Sequence, residues 1–140
     1  MKYEIVSERR VRYQVKIGCA RDAYNVLKRY AKCRQEQFIV MTLNCAHEVI
    51  SINIVSIGLV NRTIVHPREV FYCAIKDSAS AIVISHNHPS GQTEASEEDR
   101  AITMRLQDAS DIIGIPILDH VIITKDTYAS LLEKNMMRSA

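Results

Sequence analysis

The spacing of apolar residues predicts a helix followed by a β-hairpin in the first half of the chain. Over residues 22–33, apolar side chains recur at helical intervals, with Lys and Arg on the opposite face. Residues 38–43 form a short apolar run that is typical of a buried strand, and residues 49–57 alternate between apolar and polar positions. The polar turn between these two strands, residues 44–47, predicts that they pair as a hairpin.

The middle of the chain predicts a second helix and a third strand. The helix begins at His66-Pro67, because proline is favoured in the first helical turn. Residues 81–84 are continuously apolar and predict another buried strand. This strand leads directly into a polar loop at residues 86–91, which is rich in turn-forming residues.

A long helix is predicted between Ser96 and Gly114. Serine is a favoured N-cap, acidic residues fill the first turn, where they complement the helix dipole, and glycine favours a helix end. Residues 117–124 then predict a β-branched strand, and residues 127–132 predict a short last helix. The interleaved elements predict an α/β fold, with a mixed central sheet flanked by helices, because the hairpin contributes antiparallel strands.

The length and composition fit one domain with its own hydrophobic core. The chain has 140 residues, of which 47% are hydrophobic and 24% are charged, and both proportions are ordinary for a globular protein. Loose alternation over residues 3–16 predicts an extended N-terminal arm, so we divide the chain into an arm at residues 1–19 and a single domain at residues 20–140. The arm and the hairpin edge could also pair between chains, which leaves a homo-oligomer open.

Basic residues are concentrated near the N-terminus. Residues 1–34 carry ten Lys or Arg against three acids. Such a segment could contact nucleic acid or an acidic partner. Because the charges are dispersed, a solvated helix face is the favoured interpretation.

The cysteines and the N-terminus predict a reduced, cytoplasmic protein. No two of the four cysteines form a CxxC pair, which excludes a zinc ribbon. We expect reduced thiols that are mostly buried, with Cys33, Cys45 and Cys73 in or near the core. The first residues are charged and lack an apolar secretory segment, and no apolar run is long enough to span a membrane.

One stretch has the residue types and spacing of a catalytic metal site: His86-x-His88, followed seven residues later by Ser96-x-x-Asp99. Two histidines at the end of a strand can turn toward one point, and an aspartate in the first helical turn can reach back to the same loop. Two imidazoles and one carboxylate suit Zn²⁺ and leave the fourth tetrahedral position for water, as in hydrolytic zinc sites. The HExxH motif and the His-x-Glu and Pro-Cys-x-x-Cys motifs of deaminases are absent.

This stretch resembles the JAMM (MPN+) metallopeptidase motif, and within it the RadC branch. The resemblance rests on residues 86–91, His-Asn-His-Pro-Ser-Gly, and on residues 96–99, Ser-Glu-Glu-Asp. It extends to residues 67–69, to Thr103 and to residues 114–120, and it covers roughly residues 20–132. One departure is Ala95, which stands where the family usually has proline before the motif serine.

The resemblance implies both a fold and an activity. The family fold is a cytidine-deaminase-like α/β sheet with flanking helices. His86, His88 and Asp99 match the zinc ligands, and Ser96 matches the residue that helps to stabilise the oxyanion. Glu36, just before the first buried strand, matches the glutamate general base that takes a proton from the zinc-bound water and passes it to the leaving amine. The resemblance thus implies a JAMM-type zinc metallopeptidase that cleaves a peptide or isopeptide bond.

Several of these residues also have a structural interpretation. Glu36 could be a solvated loop residue, and Glu48 is then the alternative general base. Ser96 and Asp99 have the spacing of a capping box whether or not a metal binds. Residues 119–120, Asp-His, could support the site from outside or form a strand-edge pair. For the whole protein, the alternative to a hydrolase is a DNA-repair-associated accessory module with a structural or vestigial zinc site, because the RadC branch is linked by name to DNA repair.

Overall fold

The computed structural model describes residues 2–5, 15–60 and 64–140. Within these ranges the chain forms six strands and three α-helices, and the first helix continues into a 3-10 turn at Lys28–Lys32. In chain order the elements are β1 (Lys2–Ile5), α1 (Ala20–Leu27), β2 (Gln37–Leu43), β3 (Val49–Ile57), α2 (Pro67–Lys76), β4 (Ala81–Asn87), α3 (Glu97–Ile113), β5 (Ile117–Ile123) and β6 (Tyr128–Ser130).

The strands form one mixed sheet in the order β1-β3-β2-β4-β5-β6. β4 and β5 are parallel, and the other described neighbours are antiparallel. The predicted α/β fold with a mixed sheet and flanking helices is therefore confirmed, as is the hairpin of β2 and β3. The finer assignment to a cytidine-deaminase-like fold stays a prediction. β1 pairs with β3 in the same chain, so the hairpin edge that could have paired between chains is covered by β1.

Alternation along the central strands places the two halves of the core on opposite faces of the sheet. Val40 and Ile84 pack on the face covered by α2 and α3, in the same cluster as Leu106 of α3. Met41 and the odd-numbered residues of β4 face the other way, and Met41 packs in one cluster with Leu27 of α1. Consequently His86 lies on the α3 face of β4, whereas its neighbour Asn87 lies on the α1 face.

The long helix α3 begins and ends where the sequence predicts. Ser96 is its N-cap, and the side chain of Ser96 accepts a hydrogen bond from the backbone of Asp99. Gly114 ends the helix in the left-handed region at φ 81°, which glycine adopts without steric cost. The capped N-terminus of α3 lies beside the end of β4, and this junction contains the predicted metal ligands.

The predicted last helix at residues 127–132 is wrong. Tyr128–Ser130 is a strand that pairs antiparallel with β5, with Ala129 opposite Ile122. Ala129 and Leu131 are buried in one small cluster with Ile122. Pairing with the neighbouring strand overrides the local helix preference of this segment, because a strand adds backbone hydrogen bonds and buries these apolar side chains.

Two of the four cysteines are exposed, which corrects the expectation for Cys45. Cys45 lies in the turn between β2 and β3, where its side chain meets Ser80 at 2.9 Å. Cys19 is also exposed, Cys33 is half-buried, and Cys73 is buried as predicted.

Much of the predicted N-terminal arm lies outside the described residues. Lys2–Ile5 forms β1, and residues 15–19 lead into α1. The division between an arm at residues 1–19 and a domain at residues 20–140 stays a prediction. In the described part of the chain, no helix combines the length and the apolar character needed to cross a membrane.

Candidate metal centre

The two histidines and the aspartate predicted as metal ligands converge at the junction of β4 and α3. His86 is the penultimate residue of β4, His88 is in the loop that follows, and Asp99 is in the first turn of α3. The Nε2 atom of His86 lies 3.1 Å from Oδ1 of Asp99, and Nε2 of His88 lies 3.3 Å from Oδ2. The two Nε2 atoms are 2.8 Å apart. One possible ligand atom from each of the three residues therefore lies within 4.8 Å of the other two.

The loop after β4 is held in place by backbone hydrogen bonds. The backbone N–H of His88 donates to the carbonyl of Ile123 at 2.9 Å, which continues the β4–β5 ladder. The backbone N–H of Gly91 donates to the carbonyl of His88 at 3.0 Å and closes a turn. Gly91 has φ +86°, a conformation that strains residues with a side chain. The His-Pro-Ser-Gly sequence thus fixes the position of His88.

Asp99 is both the N3 residue of the α3 capping box and a member of the site. Its Oδ2 accepts from the backbone N–H of Ser96 at 2.9 Å, and the hydroxyl of Ser96 accepts from the backbone N–H of Asp99 at 3.1 Å. Burial disfavours the charge on Asp99, but the close approach of the His86 and His88 imidazoles and a hydrogen bond from the Ser96 backbone outweigh it and hold the pKa of the carboxyl well below its usual range. The capping box therefore orients an ionised carboxylate toward the two histidines.

A buried relay fixes the tautomer of His86. The hydroxyl of Thr103 donates to the backbone carbonyl of Asp99 at 2.8 Å, so it accepts from Nδ1–H of His120, which is 2.6 Å away. The Nε2 atom of His120 is then an acceptor, and it faces Nδ1 of His86 at 2.8 Å. His86 consequently carries its hydrogen on Nδ1 and presents a bare lone pair on Nε2.

His120 is suited to this relay because it stays neutral. Its side chain is fully buried, and burial, together with the neighbouring His86, holds its pKa well below the usual range. Phe38 stacks on the ring of His86 at 6.2 Å between centroids and meets the edge of His120 at 5.8 Å. Of the two alternatives for residues 119–120, His120 therefore supports the site from outside, through its contact with His86. The carboxylate of Asp119 instead accepts from the hydroxyl of Ser130 at 2.6 Å.

His88 also presents a bare Nε2 atom. Its Nδ1 lies 2.7 Å from the backbone carbonyl of Gln92, and a carbonyl can only accept, so the hydrogen is on Nδ1. Burial lowers the pKa of His88, but the neighbouring Asp99 carboxylate and the Gln92 carbonyl outweigh it, and the net pKa is raised. The raised pKa shows that this imidazole is in an environment that favours a cation.

These donors fit a metal cation. Two imidazole lone pairs 2.8 Å apart repel each other unless a positive centre lies between them, and the Asp99 carboxylate adds a negative charge to the same point. Tetrahedral zinc with bonds of 2.0–2.1 Å holds its ligand atoms about 3.3 Å apart. Each histidine Nε2 atom lies at close to that spacing from one oxygen of Asp99: 3.1 Å from His86 to Oδ1 and 3.3 Å from His88 to Oδ2.

The structure places Glu36 near this centre and Glu48 away from it. Glu36 directly precedes β2, and its charge contributes to the raised pKa of His88. One oxygen of its carboxylate accepts from the backbone N–H of Val60 at 2.9 Å. His86 pairs with Phe38, at the beginning of β2. Glu48 directly precedes β3 and lies beside the other end of β2, where Leu43 pairs with Val49. Of the two candidate bases, Glu36 is therefore the one beside the candidate metal ligands.

Asn87, which the sequence analysis did not single out, connects the ligand strand to the segment that carries Glu36. Its side-chain oxygen accepts from the backbone N–H of Gln37 at 2.7 Å. Its amide N–H groups donate to the carbonyls of Gln35 at 3.1 Å and Cys33 at 3.3 Å. Strand alternation could have revealed this residue in the sequence. A polar residue between His86 and His88 faces the opposite side of the sheet, where its side chain needs hydrogen-bond partners if it is buried.

Comparison with known proteins identifies relatives over most of the chain. The sequence model of the RadC-like JAB domain matches residues 17–136. A UPF0758 protein of Alkaliphilus metalliredigens is 54% identical over 109 residues, which are 78% of this chain and 46% of the relative. UPF0758 proteins of Pelobacter propionicus and Methanospirillum hungatei are 47% and 53% identical, over 75% and 69% of this chain and 46% and 43% of their own lengths.

The chain spans about half the length of these curated relatives. Their shared name, UPF0758, states neither a substrate nor an activity. The matched region, residues 17–136, includes all the residues of the metal centre.

Proposed function

The chain belongs to the RadC-like JAB domain family, and from this premise we propose that it is a zinc-dependent hydrolase that cleaves a peptide or isopeptide bond. JAB domains are often hydrolytic. The observation that carries the proposal is the convergence of two bare Nε2 atoms and one carboxylate, all from a single loop and its flanking elements. Three protein ligands with an open fourth position are typical of catalytic rather than structural zinc sites.

In this proposal the chain supplies the metal ligands and the surrounding polar groups. His86, His88 and Asp99 hold the zinc ion. When bound, zinc supplies a Lewis acid that polarises a carbonyl and lowers the pKa of water. Thr103 and His120 keep Nε2 of His86 free of hydrogen, and the capping box keeps Asp99 oriented.

Glu36 is the proposed general base. The hydrogen bond from Val60 occupies one carboxylate oxygen and leaves the other to accept a proton from the attacking water. Glu36 then passes this proton to the amine that leaves when the peptide bond breaks. Asn87 holds the backbone on both sides of Glu36 and keeps the base in register with the ligands.

Ser96 is the proposed stabiliser of the oxyanion. Its hydroxyl oxygen accepts from the backbone N–H of Asp99, so the hydroxyl hydrogen is available to a substrate oxygen. The residue is exposed, although it lies next to the buried Asp99, and a substrate can therefore reach it.

The experiment compares two conservative variants on the zinc-loaded protein. A synthetic library of peptides and isopeptide-linked peptides is incubated with the parent, Glu36→Gln and Glu48→Gln, and new termini are detected by mass spectrometry. We expect cleavage by the parent and by Glu48→Gln. Glu36→Gln should retain zinc and lose at least about 100-fold in rate, since a general base contributes 10²–10⁴-fold.

Two results would count against the proposal. If Glu36→Gln cleaves as fast as the parent, Glu36 is not the base. If the parent binds one zinc ion per chain and cleaves no member of the library, the site is not that of a peptide hydrolase.

A further inference from the structure

A cavity of about 560 Å³ opens beside His88, outside the metal centre itself. Three cationic residues line it: Lys32 and Arg34 from the segment before β2, and Lys125 from the turn between β5 and β6. The rest of its lining is small or weakly polar and includes Ala31. The cavity therefore joins a positively charged surface to the point where the metal ligands converge.

The cationic residues are carried by backbone segments that other residues fix. Arg34 lies between Cys33 and Gln35, whose carbonyls both accept from the side chain of Asn87. Lys125 lies in a turn closed by Thr124, whose backbone N–H donates to the carbonyl of Thr127 at 2.8 Å. The cavity is thus formed before a ligand arrives, which lowers the entropic cost of binding.

The positive charge of the cavity is not neutralised within the described residues. All three cationic side chains are exposed, and no ion pair in residues 15–60 and 64–140 involves them. No Asp or Glu of those ranges lines the cavity. A ligand that enters it from solvent therefore meets a field that favours negative charge.

We propose that this cavity is the specificity subsite of the hydrolase and that it binds acidic side chains of a peptide substrate next to the bond that is cleaved. The inference rests on the proposed function, because a substrate carbonyl at the metal centre places the neighbouring residues of the peptide in this cavity. Arg34 and Lys125, on different elements, contact anionic groups from two sides. Lys32 adds a third cation on the same wall as Arg34.

A peptide fits the cavity better than a nucleic acid does. Sites that bind single-stranded nucleic acid combine basic residues with aromatic rings on which the bases stack. The lining of this cavity includes no Tyr or Phe among the described residues, and the chain contains no Trp. Small side chains such as Ala31 and Pro89 leave room for a peptide backbone instead.

The test measures binding and cleavage separately. Fluorescein-labelled octapeptides with four Asp, four Asn or four Lys at the same positions are titrated into the zinc-loaded parent at low salt, with anisotropy as the readout, and mass spectrometry follows cleavage in parallel. We expect the Asp peptide to bind about tenfold more tightly than the Asn peptide, as the combined effect of three exposed charge contacts. Arg34→Glu should remove most of this preference. Lys134→Glu, with the same charge change at an exposed position that lines no described cavity, should keep it.

The outcomes separate the subsite from the activity. Equal binding of the Asp and Asn peptides, or equal losses in Arg34→Glu and Lys134→Glu, would overturn the subsite even if the protein cleaves peptides. Tight, Arg34-dependent binding of the Asp peptide without cleavage would support the subsite and count against the hydrolase. If a single-stranded oligonucleotide of the same charge displaces the Asp peptide at equal or lower concentration, the occupant is a nucleic acid and the proposal is wrong.

Discussion

Replacing Thr103 by valine removes one hydroxyl from the relay behind the metal ligands while keeping the shape of the side chain. In the parent, Nδ1–H of His120 donates to this hydroxyl at 2.6 Å. Without the acceptor, the fully buried His120 retains an unsatisfied N–H, or it moves its hydrogen to Nε2 and donates to Nδ1 of His86. In the second case, the hydrogen of His86 moves to Nε2, the atom proposed to bind the metal.

Either outcome weakens the metal site by a predictable amount. A buried donor without a partner costs about 1–3 kcal/mol. Loss of a residue that orients a metal ligand lowers metal affinity by about 10–100-fold, which corresponds to about 1.4–2.8 kcal/mol. We therefore expect Thr103→Val to bind zinc about 10–100-fold more weakly than the parent.

The assay is competition for zinc with a chromophoric chelator, and denaturant unfolding of the metal-free protein serves as a check on the fold. Ser110→Ala is the matched control. Ser110 lies on the same helix, is largely buried, and donates to the carbonyl of Ile115 at 2.7 Å, away from the site. The Ser110→Ala protein should be less stable than the parent and should bind zinc with the same affinity. A folded Thr103→Val protein with the zinc affinity of the parent would refute the tautomer relay.

Three further predictions concern residues around the centre and in the core. Asn87→Ala should keep zinc but lose hydrolytic rate, because the segment that carries the proposed general base loses three hydrogen bonds. An unchanged rate on any cleaved library peptide would contradict this role. Burial raises the pKa of Asp119 above 3.8, so the contribution of this group to stability is present below about pH 4 and is lost as the pH rises through the raised pKa. The free energy of unfolding of the parent should therefore fall relative to that of Asp119→Asn between pH 4 and pH 7. If the free energy of unfolding depends on pH in the same way in both proteins, the pKa of Asp119 is not raised. Burial raises the pKa of Cys73 to about 11, so a thiol reagent at pH 8 should label Cys19 and Cys45 quickly and Cys73 only after unfolding, as peptide mass mapping can show.

Local patterns predicted the parts of the fold that local forces determine. The hairpin of β2 and β3 follows from alternation around a polar turn, and α3 follows from the cap at Ser96 and the glycine at its end. The three candidate ligands were also visible in the sequence, because all of them lie in one stretch of fourteen residues, 86–99, that spans the β4–α3 junction. In each case the signal and the structure it determines are close together along the chain.

The features that the sequence did not predict depend on contacts between distant segments. Tyr128–Ser130 is a strand because β5 lies beside it, and nothing within residues 127–132 shows that pairing. Asn87 and Cys33 are 54 positions apart, and His86 and His120 are 34 apart. Their roles follow from the register of the sheet, which a single sequence leaves undetermined.

The central claim is that His86, His88 and Asp99 hold one zinc ion. Elemental analysis of the purified, untagged parent beside His88→Ala tests it most directly, because His88 lies in the loop after β4 and its side chain is partly exposed. We predict about one zinc ion per chain in the parent and a loss of that zinc in the variant, with the fold retained. A parent that holds no metal after zinc has been supplied, or a folded variant that holds as much zinc as the parent, would contradict the account.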